Sequence, residues 1–295
     1  MLANFIIFHI LFSILSLIVC KKFYILIDNK IEKHKKYSAK NNSHLLGGIL
    51  IILFLSYYYF FVIQKPLLYF FLLSIFFVGL MADTRSINSV SHRFLLQLIF
   101  VICFVNLLGI EINFTKIKFI DELLENNLVN IFFVSFCLLV LINGTNFIDG
   151  INGIVITYYL IIFFILLLNL NNFIFDKVLL LNIIFVLFSL LILNFSGLIY
   201  LGDSGSYTLS LFSGVFLINF VSDNNSISPY FVIVLLWYPC FELLFSIIRR
   251  SFTEMKTYKP DTTHLHQIIY KKIMVNFKIE NNLIVHFIST FTINF

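Results

Sequence analysis

Long apolar runs recur along the chain, and they constrain its fold more than any other feature of the sequence. Each run approaches the roughly 20 residues that an α-helix needs to cross the hydrocarbon core of a bilayer. The runs are continuous rather than alternating, which favours helices over the strands of a membrane barrel. The predicted spans cover residues 3–20, 45–63, 67–82, 94–110, 128–142, 154–170, 178–195, 206–221, 230–248 and 283–295. The sequence therefore predicts an all-α polytopic membrane protein, a single domain of residues 1–295 that forms a bundle of about ten transmembrane helices.

The composition excludes a water-soluble fold. Apolar residues make up 60% of the chain and charged residues only 12%. A soluble domain is close to half apolar and about a quarter charged, so much of this apolar surface must face the lipid bilayer. The net charge of +5 follows the membrane topology, and we expect no nucleic-acid partner. The four cysteines stand singly, without a metal-ligand spacing, and are interpreted as core or lipid-facing residues.

The distribution of Lys and Arg predicts the orientation. Lys21 and Lys22 follow the first span, and no basic stretch precedes it, which argues against a cleavable signal peptide and places the N-terminus outside. Sixteen of the 20 basic residues then fall in cytoplasmic loops, near 21–44, 83–93, 143–153, 196–205 and 249–282. The outer side keeps Lys65, Lys116, Lys118 and Lys177. This positive-inside bias supports both the orientation and a cytoplasmic position for the active-site loops.

Three carboxylates end predicted spans on this cytoplasmic side. Asp83 follows the third span, Asp149 lies in an Asn- and Gly-rich segment, and Asp203 lies in Gly-Asp-Ser-Gly-Ser. Mg²⁺ prefers carboxylate and water oxygens, often shared with substrate phosphates, so the three acids together predict a divalent cation site. The alternative is that each acid simply caps a helix, as Asp203 could before Ser-Gly-Ser.

Glycine is scarce, yet it collects in the same inner segments. Seven of the 11 glycines lie there: Gly47, Gly48, Gly144, Gly150, Gly153, Gly202 and Gly205. Clustered glycine beside Asp and Asn is typical of backbone held close to a ligand. Ordinary turn chemistry is the alternative, and the glycines alone favour it.

The last inner loop supplies groups that bind phosphate. Arg249 and Arg250 are candidate phosphate ligands, and a histidine pair, His264 and His266, can hydrogen-bond or protonate a phosphate. Anchoring at the membrane boundary is the alternative for the arginines, and a solvated loop is the alternative for the histidines. Glu242, inside the ninth span, is a candidate for a functional or bundle-interior residue.

Taken in order, these segments resemble the polyprenyl-phosphate N-acetylhexosamine-1-phosphate transferases over nearly the whole chain. The resemblance is carried by Leu46-Gly47-Gly48 and by residues 79–97, 143–153, 194–206, 239–250 and 261–266. Its most specific parts are Asn-x-x-Asn-x-x-Asp-Gly from Asn143 to Gly150 and the Gly-Asp-Ser-Gly-Ser segment. The His-x-His spacing is similar to that of the family branch that initiates surface glycans. It differs from the three adjacent histidines of the more distant translocase branch.

The resemblance implies a reaction and a set of site residues. A sugar 1-phosphate, expected to be an N-acetylhexosamine 1-phosphate, passes from a UDP-sugar to undecaprenyl phosphate in the bacterial cytoplasmic membrane, with release of UMP, as the first step of a surface glycan. Asp203 would hold Mg²⁺, with Mn²⁺ as the alternative ion, and Asp83 would act as base or as a second cation ligand. The implied substrate-binding residues are Asn143, Asn146, Asp149, Asn194, Tyr200 (stacking on uracil) and Asp261. His264 and His266 would lie near the diphosphate, and a homodimer is left open.

Two departures from the family pattern keep a second hypothesis open. Ala82 replaces the first of two adjacent acids, and Gln267 replaces the last histidine of His-x-His-His. A relative that binds substrate as a scaffold subunit without catalysis is therefore the alternative function. A transporter explains the spans but not why the acids lie at one face rather than at the midplane.

Overall fold

The computed structural model describes residues 2–27, 43–169, 174–224, 227–252, 264–277 and 281–294. Within these ranges the protein is helical, apart from turns and two isolated β-bridges, Ile27 with His44 and His44 with Ile199. The helices are α1 (Leu2–Phe23), α2 (Gly47–Tyr57, continued by a π-helical turn Tyr58–Val62), α3 (Pro66–Asp83), α4 (Val90–Leu108), α5 (Lys118–Leu124), α6 (Asn127–Ile148), α7 (Ile154–Asn169), α8 (Ile174–Phe195), α9 (Gly202–Ser222), α10 (Pro229–Leu235), α11 (Trp237–Phe252), α12 (Leu265–Asn276) and α13 (Asn282–Asn294). The prediction of an all-α fold is confirmed.

Several of these helices have the length and composition of membrane spans. Among the described residues, five helices qualify: Pro66–Asp83, Val90–Leu108, Asn127–Ile148, Lys177–Phe195 and Gly202–Ser222. The pair α10 and α11 adds a sixth if it is counted as one bent span, while Gly47–Val62 and Ile154–Leu168 are apolar but shorter. The chain is thus a multi-pass membrane protein. Each of the ten predicted runs coincides with a helix or helix pair, but a count of about ten spans stays a prediction, as does the orientation.

The ninth predicted span, 230–248, is wrong as a single straight helix. The chain bends by 69° between α10 and α11, at Leu236, whose φ and ψ of −105° and 10° lie outside the helical range. Pro239 explains the break, because proline has no N–H to donate and its ring clashes with the carbonyl four residues earlier. That carbonyl belongs to Leu235, the last residue of α10.

The described helices divide between two compact units. The first unit comprises residues 1–58, 148–202 and 258–295, and the second comprises residues 59–147 and 203–257. In the first unit, α8 packs against α1, α2 and α7, and α13 packs against α7, α8 and α12. In the second unit, α3 packs against α4 and α10 against α11.

Within the second unit, α9 is the least apolar of the five candidate spans in the described residues and is nevertheless the most deeply buried of them. Its most apolar 18 residues are 83% buried, against 22–50% for the other four candidate spans in the described ranges. Its hydroxyl groups donate to carbonyls of their own helix: Thr208 to Ser204, Ser210 to Ser206 and Ser213 to Leu209, at 2.6–2.7 Å. This internal bonding removes the cost of burying the hydroxyls.

The helix α11 is polar inside and apolar outside. Glu242, Ser246 and Arg250 repeat every four residues and are buried, whereas Phe241 and Phe245 are about half exposed. Residues four apart share one helix face, so α11 presents a polar stripe to the protein and an apolar surface outward. This pattern is the reverse of that in a water-soluble protein, and it is expected where the outer surface of a helix faces lipid.

Candidate active site

Asp83 binds the beginning of α9 from the end of α3. Its Oδ1 accepts the backbone N–H of Asp203 at 2.8 Å, and its Oδ2 accepts that of Ser204 at 3.0 Å. The first N–H groups of a helix have no partner within the helix, and their partial positive charge attracts an anion. Asp83 therefore caps α9 from 120 residues away in the sequence. The expected juxtaposition of Asp83 and Asp203 is present in the structure.

Gly79 permits this contact. A Cβ at Gly79 would lie 2.4 Å from the Cα of Ser204 and 2.6 Å from its nitrogen. Both atoms are backbone, so they could not rotate away. The absence of a side chain at residue 79 is therefore what lets α3 approach the first turn of α9 closely enough for Asp83 to reach its N–H groups.

Asp203 forms an ion pair that the sequence did not reveal. Arg93, in the first turn of α4, donates from Nη1 to Asp203 Oδ2 at 2.9 Å. The two side chains are 23% and 10% exposed, so water screens this pair less than it screens a surface pair. The available signal was a lone arginine at the start of an otherwise apolar run, inside the 79–97 segment, but its position resembles that of a topology anchor.

The carboxylates of Asp83 and Asp203 fit a divalent cation only if other ligands share it. In the part of the chain that the structure describes, no group of three or more His, Cys, Asp or Glu side chains could hold a metal ion. Mg²⁺ is nevertheless often held by one or two carboxylates, with water and substrate phosphates completing the octahedron. The donor set therefore suits an ion shared with a diphosphate and not a protein-enclosed ion.

The asparagines of α6 extend this polar region of the second unit. Asn143 donates to the side chain of the buried Gln97 at 3.0 Å. Asn146 accepts a longer bond, 3.4 Å, from the hydroxyl of Ser206. Gln97 lies one turn after Arg93 on α4, so α4 directs two polar side chains towards the predicted asparagine motif and α9.

The two predicted arginines differ in environment. Arg250 is buried, with its guanidinium 5.4 Å from the centre of the Phe147 ring. Arg249 is more exposed and lies 5.9 Å from the ring of Phe245 on its own helix. Phe147 follows Asn146, so Arg250 is the arginine that the structure brings next to the asparagine motif.

In the first unit, the segment 149–153 is held by predicted substrate-binding residues. Asn194 accepts the Gly153 N–H at 2.6 Å and donates to the Ile199 carbonyl at 3.0 Å. Tyr200 is 1% exposed and donates its hydroxyl to the Asp149 carbonyl at 2.9 Å. The structure thus gives Asn194 and Tyr200 a positioning role that the sequence did not indicate. Stacking of Tyr200 on uracil stays a prediction.

His264 and His266 form a parallel pair beside the same segment. Their rings are 5.6 Å apart with planes inclined by only 4°, and both side chains are buried. A Cβ at Gly150 would lie 2.2 Å from His266 Nε2, so the imidazole occupies the space that a side chain at residue 150 would need. The alternative of a solvated histidine loop is therefore wrong for the folded chain.

Burial sets the protonation of His266. Desolvation holds the pKa of His266 well below its ordinary value of 6.5, and the neighbouring imidazole of His264 lowers the pKa further. His266 is therefore neutral near pH 7, able to hydrogen-bond but unsuited to act as a permanent cation. It lies on α12, outside the candidate spans.

We expect acid to destabilise the folded protein through His266. A histidine whose pKa is lower in the folded chain takes up a proton on unfolding, so its contribution is complete above pH 6.5 and is lost as the pH falls below it. Tm in detergent should therefore fall between pH 7.5 and 5.5. The decrease should be smaller in His266→Gln and unchanged in His92→Gln, which alters an exposed histidine. His264, whose ring lies 5.6 Å from that of His266, and His286 are kept in all variants. An equal decrease in both variants would contradict the prediction.

The predicted residues thus fall into two groups. The second unit contains Asp83, Asn143, Asn146, Asp203, Arg249 and Arg250. The first unit contains Asp149, Asn194, Tyr200, His264 and His266. Asp261 lies outside the described residues. Of the three acids expected at one cation, Asp83 and Asp203 meet within one unit, and the convergence of Asp149 with them stays a prediction.

Comparison with known proteins gives the family. The profile described as "Glycosyl transferase family 4" matches residues 65–221, more than half of the chain. A Bacillus subtilis (strain 168) protein named "Probable undecaprenyl-phosphate N-acetylglucosaminyl 1-phosphate transferase" is 28% identical over 202 residues, which cover 65% of this chain and 54% of the relative. The chain thus matches about half the length of that protein. The family match includes Asp83, Arg93 and Asp203, and it confirms the family resemblance found in the sequence. The chain belongs to glycosyl transferase family 4.

Proposed function

We propose that the protein transfers a sugar 1-phosphate from a UDP-sugar to undecaprenyl phosphate and releases UMP. The donor sugar is an N-acetylhexosamine, and the reaction is the initiating step of a cell-surface glycan. Family membership supports the class of reaction, and the name of the Bacillus subtilis relative supports the lipid acceptor. The single observation that carries the proposal is the arrangement of Asp83, Arg93 and Asp203 at the first turn of α9.

This arrangement suits phosphoryl transfer, which needs positioning and electrostatic stabilisation rather than covalent chemistry by the protein. Asp83 fixes the first turn of α9 and thereby the backbone of Asp203. Arg93 orients the Asp203 carboxylate and supplies a guanidinium, the cationic group best suited to bind phosphate oxygens. Both carboxylate oxygens of Asp83 accept backbone N–H groups. This favours a structural and electrostatic role for Asp83 over the role of a base.

A divalent cation, Mg²⁺ or Mn²⁺, is part of the proposal. Asp203 would hold it and Asp83 would contribute negative charge, with diphosphate oxygens and water as the remaining ligands. The ion would supply neutralisation of charge on the diphosphate. Asp149 is not required as a ligand of this ion. Together with Asn146 and Asn194, it is proposed to bind the nucleotide sugar.

The proposed location is the bacterial cytoplasmic membrane. Ten spans with the N-terminus outside would open Asp83, Asp149 and Asp203 to the cytoplasm, where UDP-sugars are available. The buried Arg250 and the pair His264 and His266 are proposed to interact with phosphate groups, His266 as a neutral hydrogen-bonding partner. Asp261 keeps its predicted place in the same set.

A transfer assay tests the proposal. Membranes containing the protein, undecaprenyl phosphate and each labelled UDP-N-acetylhexosamine in turn should form a lipid-linked sugar diphosphate and an equal amount of UMP. Chelation of divalent cations by EDTA should stop the reaction, and added Mg²⁺ or Mn²⁺ should restore it. Membranes that lack the protein are the control. No lipid product with any donor would contradict the proposal.

The same assay separates catalysis from the scaffold alternative. A non-catalytic relative would bind the UDP-sugar without forming product. Asp83 bonds to two backbone N–H groups of α9 without help from a second acid at residue 82, where this chain has Ala82. This contact favours an active enzyme, because the loss of the adjacent acid leaves the cap of α9 intact.

A further inference from the structure

One face of α13 is bonded to the backbone of the segment that follows Asp149. His286 Nδ1 accepts the Asn152 N–H at 3.3 Å, Thr290 Oγ1 donates to the Asn152 carbonyl at 3.1 Å, and Asn294 Nδ2 donates to the Ile154 carbonyl at 3.2 Å. We call His286, Thr290 and Asn294 the α13 row. Its members are spaced by four residues, so they share one helix face, and their targets are 134–140 residues away in the sequence.

The α13 row acts where water is excluded. His286, Thr290 and Asn152 are all buried. The His286 ring is also held by Tyr270 of α12, with ring centres 4.8 Å apart. A buried backbone group that loses its partner bears the full cost of desolvation, so each of these bonds strongly favours one conformation of the segment.

Other side chains also hold the segment. Tyr200 donates to the Asp149 carbonyl at its first residue, and Asn194 accepts the Gly153 N–H beside the bonds made by the α13 row. The hydrogen bonds to residues 149, 152, 153 and 154 therefore come from three elements: α8, the chain before α9, and α13. The backbone of the segment is thus bonded at Asp149 and again at residues 152–154, which leaves it little freedom, and the carboxylate of Asp149 is attached to this backbone.

We propose that the α13 row is a positioning element that fixes the Asp149–Gly153 segment for binding of the nucleotide-sugar donor. The inference rests on the proposed function, in which Asp149 helps to bind that donor. None of the three residues needs to touch substrate. Loss of a bond from the row should therefore weaken donor binding, while binding of undecaprenyl phosphate remains unchanged.

Two threonines of α13 provide a matched test. Thr290→Val removes the hydroxyl that donates to Asn152 and keeps the side-chain shape. Thr292→Val makes the same change at an exposed residue, whose hydroxyl donates to Ile288 of its own helix. We expect the KM for the UDP-sugar to rise about fivefold in Thr290→Val. It should not change in Thr292→Val, and the KM for undecaprenyl phosphate should be unchanged in both.

His286 offers a second pair of variants. In His286→Asn the side-chain oxygen can take the position of Nδ1 and accept the Asn152 N–H. In His286→Leu no acceptor remains. The KM for the donor should stay near that of the unaltered protein in His286→Asn and rise in His286→Leu. This rescue by a conservative variant would not occur if the residue only filled space.

Hydrogen exchange tests the row without requiring activity. Deuterium uptake in a peptide covering residues 149–154 should increase in Thr290→Val and His286→Leu, but not in Thr292→Val. Equal donor KM values for Thr290→Val and Thr292→Val would overturn the proposal, as would unchanged exchange in residues 149–154. If Thr290→Val does not fold, the donor KM values of His286→Asn and His286→Leu test the proposal in its place. Absence of transfer by the unaltered protein would instead contradict the proposed function, and the exchange data would still test the row.

Discussion

Asp203→Asn is expected to lower the kcat of sugar-phosphate transfer by about 10³-fold. The substitution keeps the size of the side chain and removes its charge. Arg93 then loses its carboxylate partner at 2.9 Å, and the proposed cation loses its principal ligand. The backbone N–H of residue 203 still meets Asp83, so the folded protein should remain. The measurement is turnover of purified protein in detergent, beside Tm and elution volume.

Asp223→Asn is the matched control. Asp223 follows the last residue of the same helix, α9, and is exposed. The Asp223→Asn substitution removes the same charge at the other end of α9, far from Arg93. The kcat should therefore stay within about twofold of that of the unaltered protein. Normal turnover in Asp203→Asn would remove Asp203 from the mechanism. An equal loss in both variants would show that the overall charge of α9, not Asp203, is responsible.

Gly79→Ala should reduce both stability and activity, because a single methyl group would collide with backbone. Its carbon would lie 2.4 Å from Ser204 Cα, and non-bonded carbons prefer about 3.5–4.0 Å. The helices α3 and α9 must then move apart by more than 1 Å. We expect a loss of about 3 kcal/mol in the free energy of unfolding. Misplacement by 1 Å at a catalytic centre costs about 10²-fold in kcat/KM.

Gly214→Ala distinguishes this backbone collision from the general effect of adding a methyl group. Gly214 is also a helical glycine, on α9, but a Cβ there would meet the side-chain ends of Leu138 at 2.7 Å and Leu141 at 3.1 Å. Those side chains can rotate, so the losses of Tm and kcat/KM should be several times smaller. Similar losses in the two variants, or none in Gly79→Ala, would contradict the role assigned to Gly79.

The sequence predicted the helices well because the apolar runs are long and continuous. It did not predict that the ninth run is divided into two helices, α10 and α11, at the residues before Pro239. The contact between Asp83 and Asp203 followed from topology, since both residues end predicted spans on one side. The count of spans did not follow, because α2 with its π-helical turn and α7 are apolar but short, and α13 has only 13 residues.

The site was harder to predict because its bonds connect distant parts of the chain. Arg93 and its partner Asp203 are 110 residues apart, and nothing local marks the arginine as more than an anchor. The sequence predicts Asn194 and Tyr200 as substrate-binding residues, but it does not indicate that their polar atoms bond to backbone. The clustered inner glycines alone favour ordinary turns over backbone held close to a ligand. At Gly47 and Gly144, as at Gly79, a Cβ would meet backbone of another part of the chain, so close packing of backbone on backbone is a further reason for glycine at these positions.

The cap on α9 also has a consequence for biosynthesis. The ribosome makes the Asp83 carboxylate 120 residues before the first of the two amides that it binds. A nascent chain that has inserted α3 and α4 therefore holds an acid and the Arg93 cation whose partners do not yet exist. Acquisition of activity by a growing chain would thus report that α9 has been synthesised and has docked.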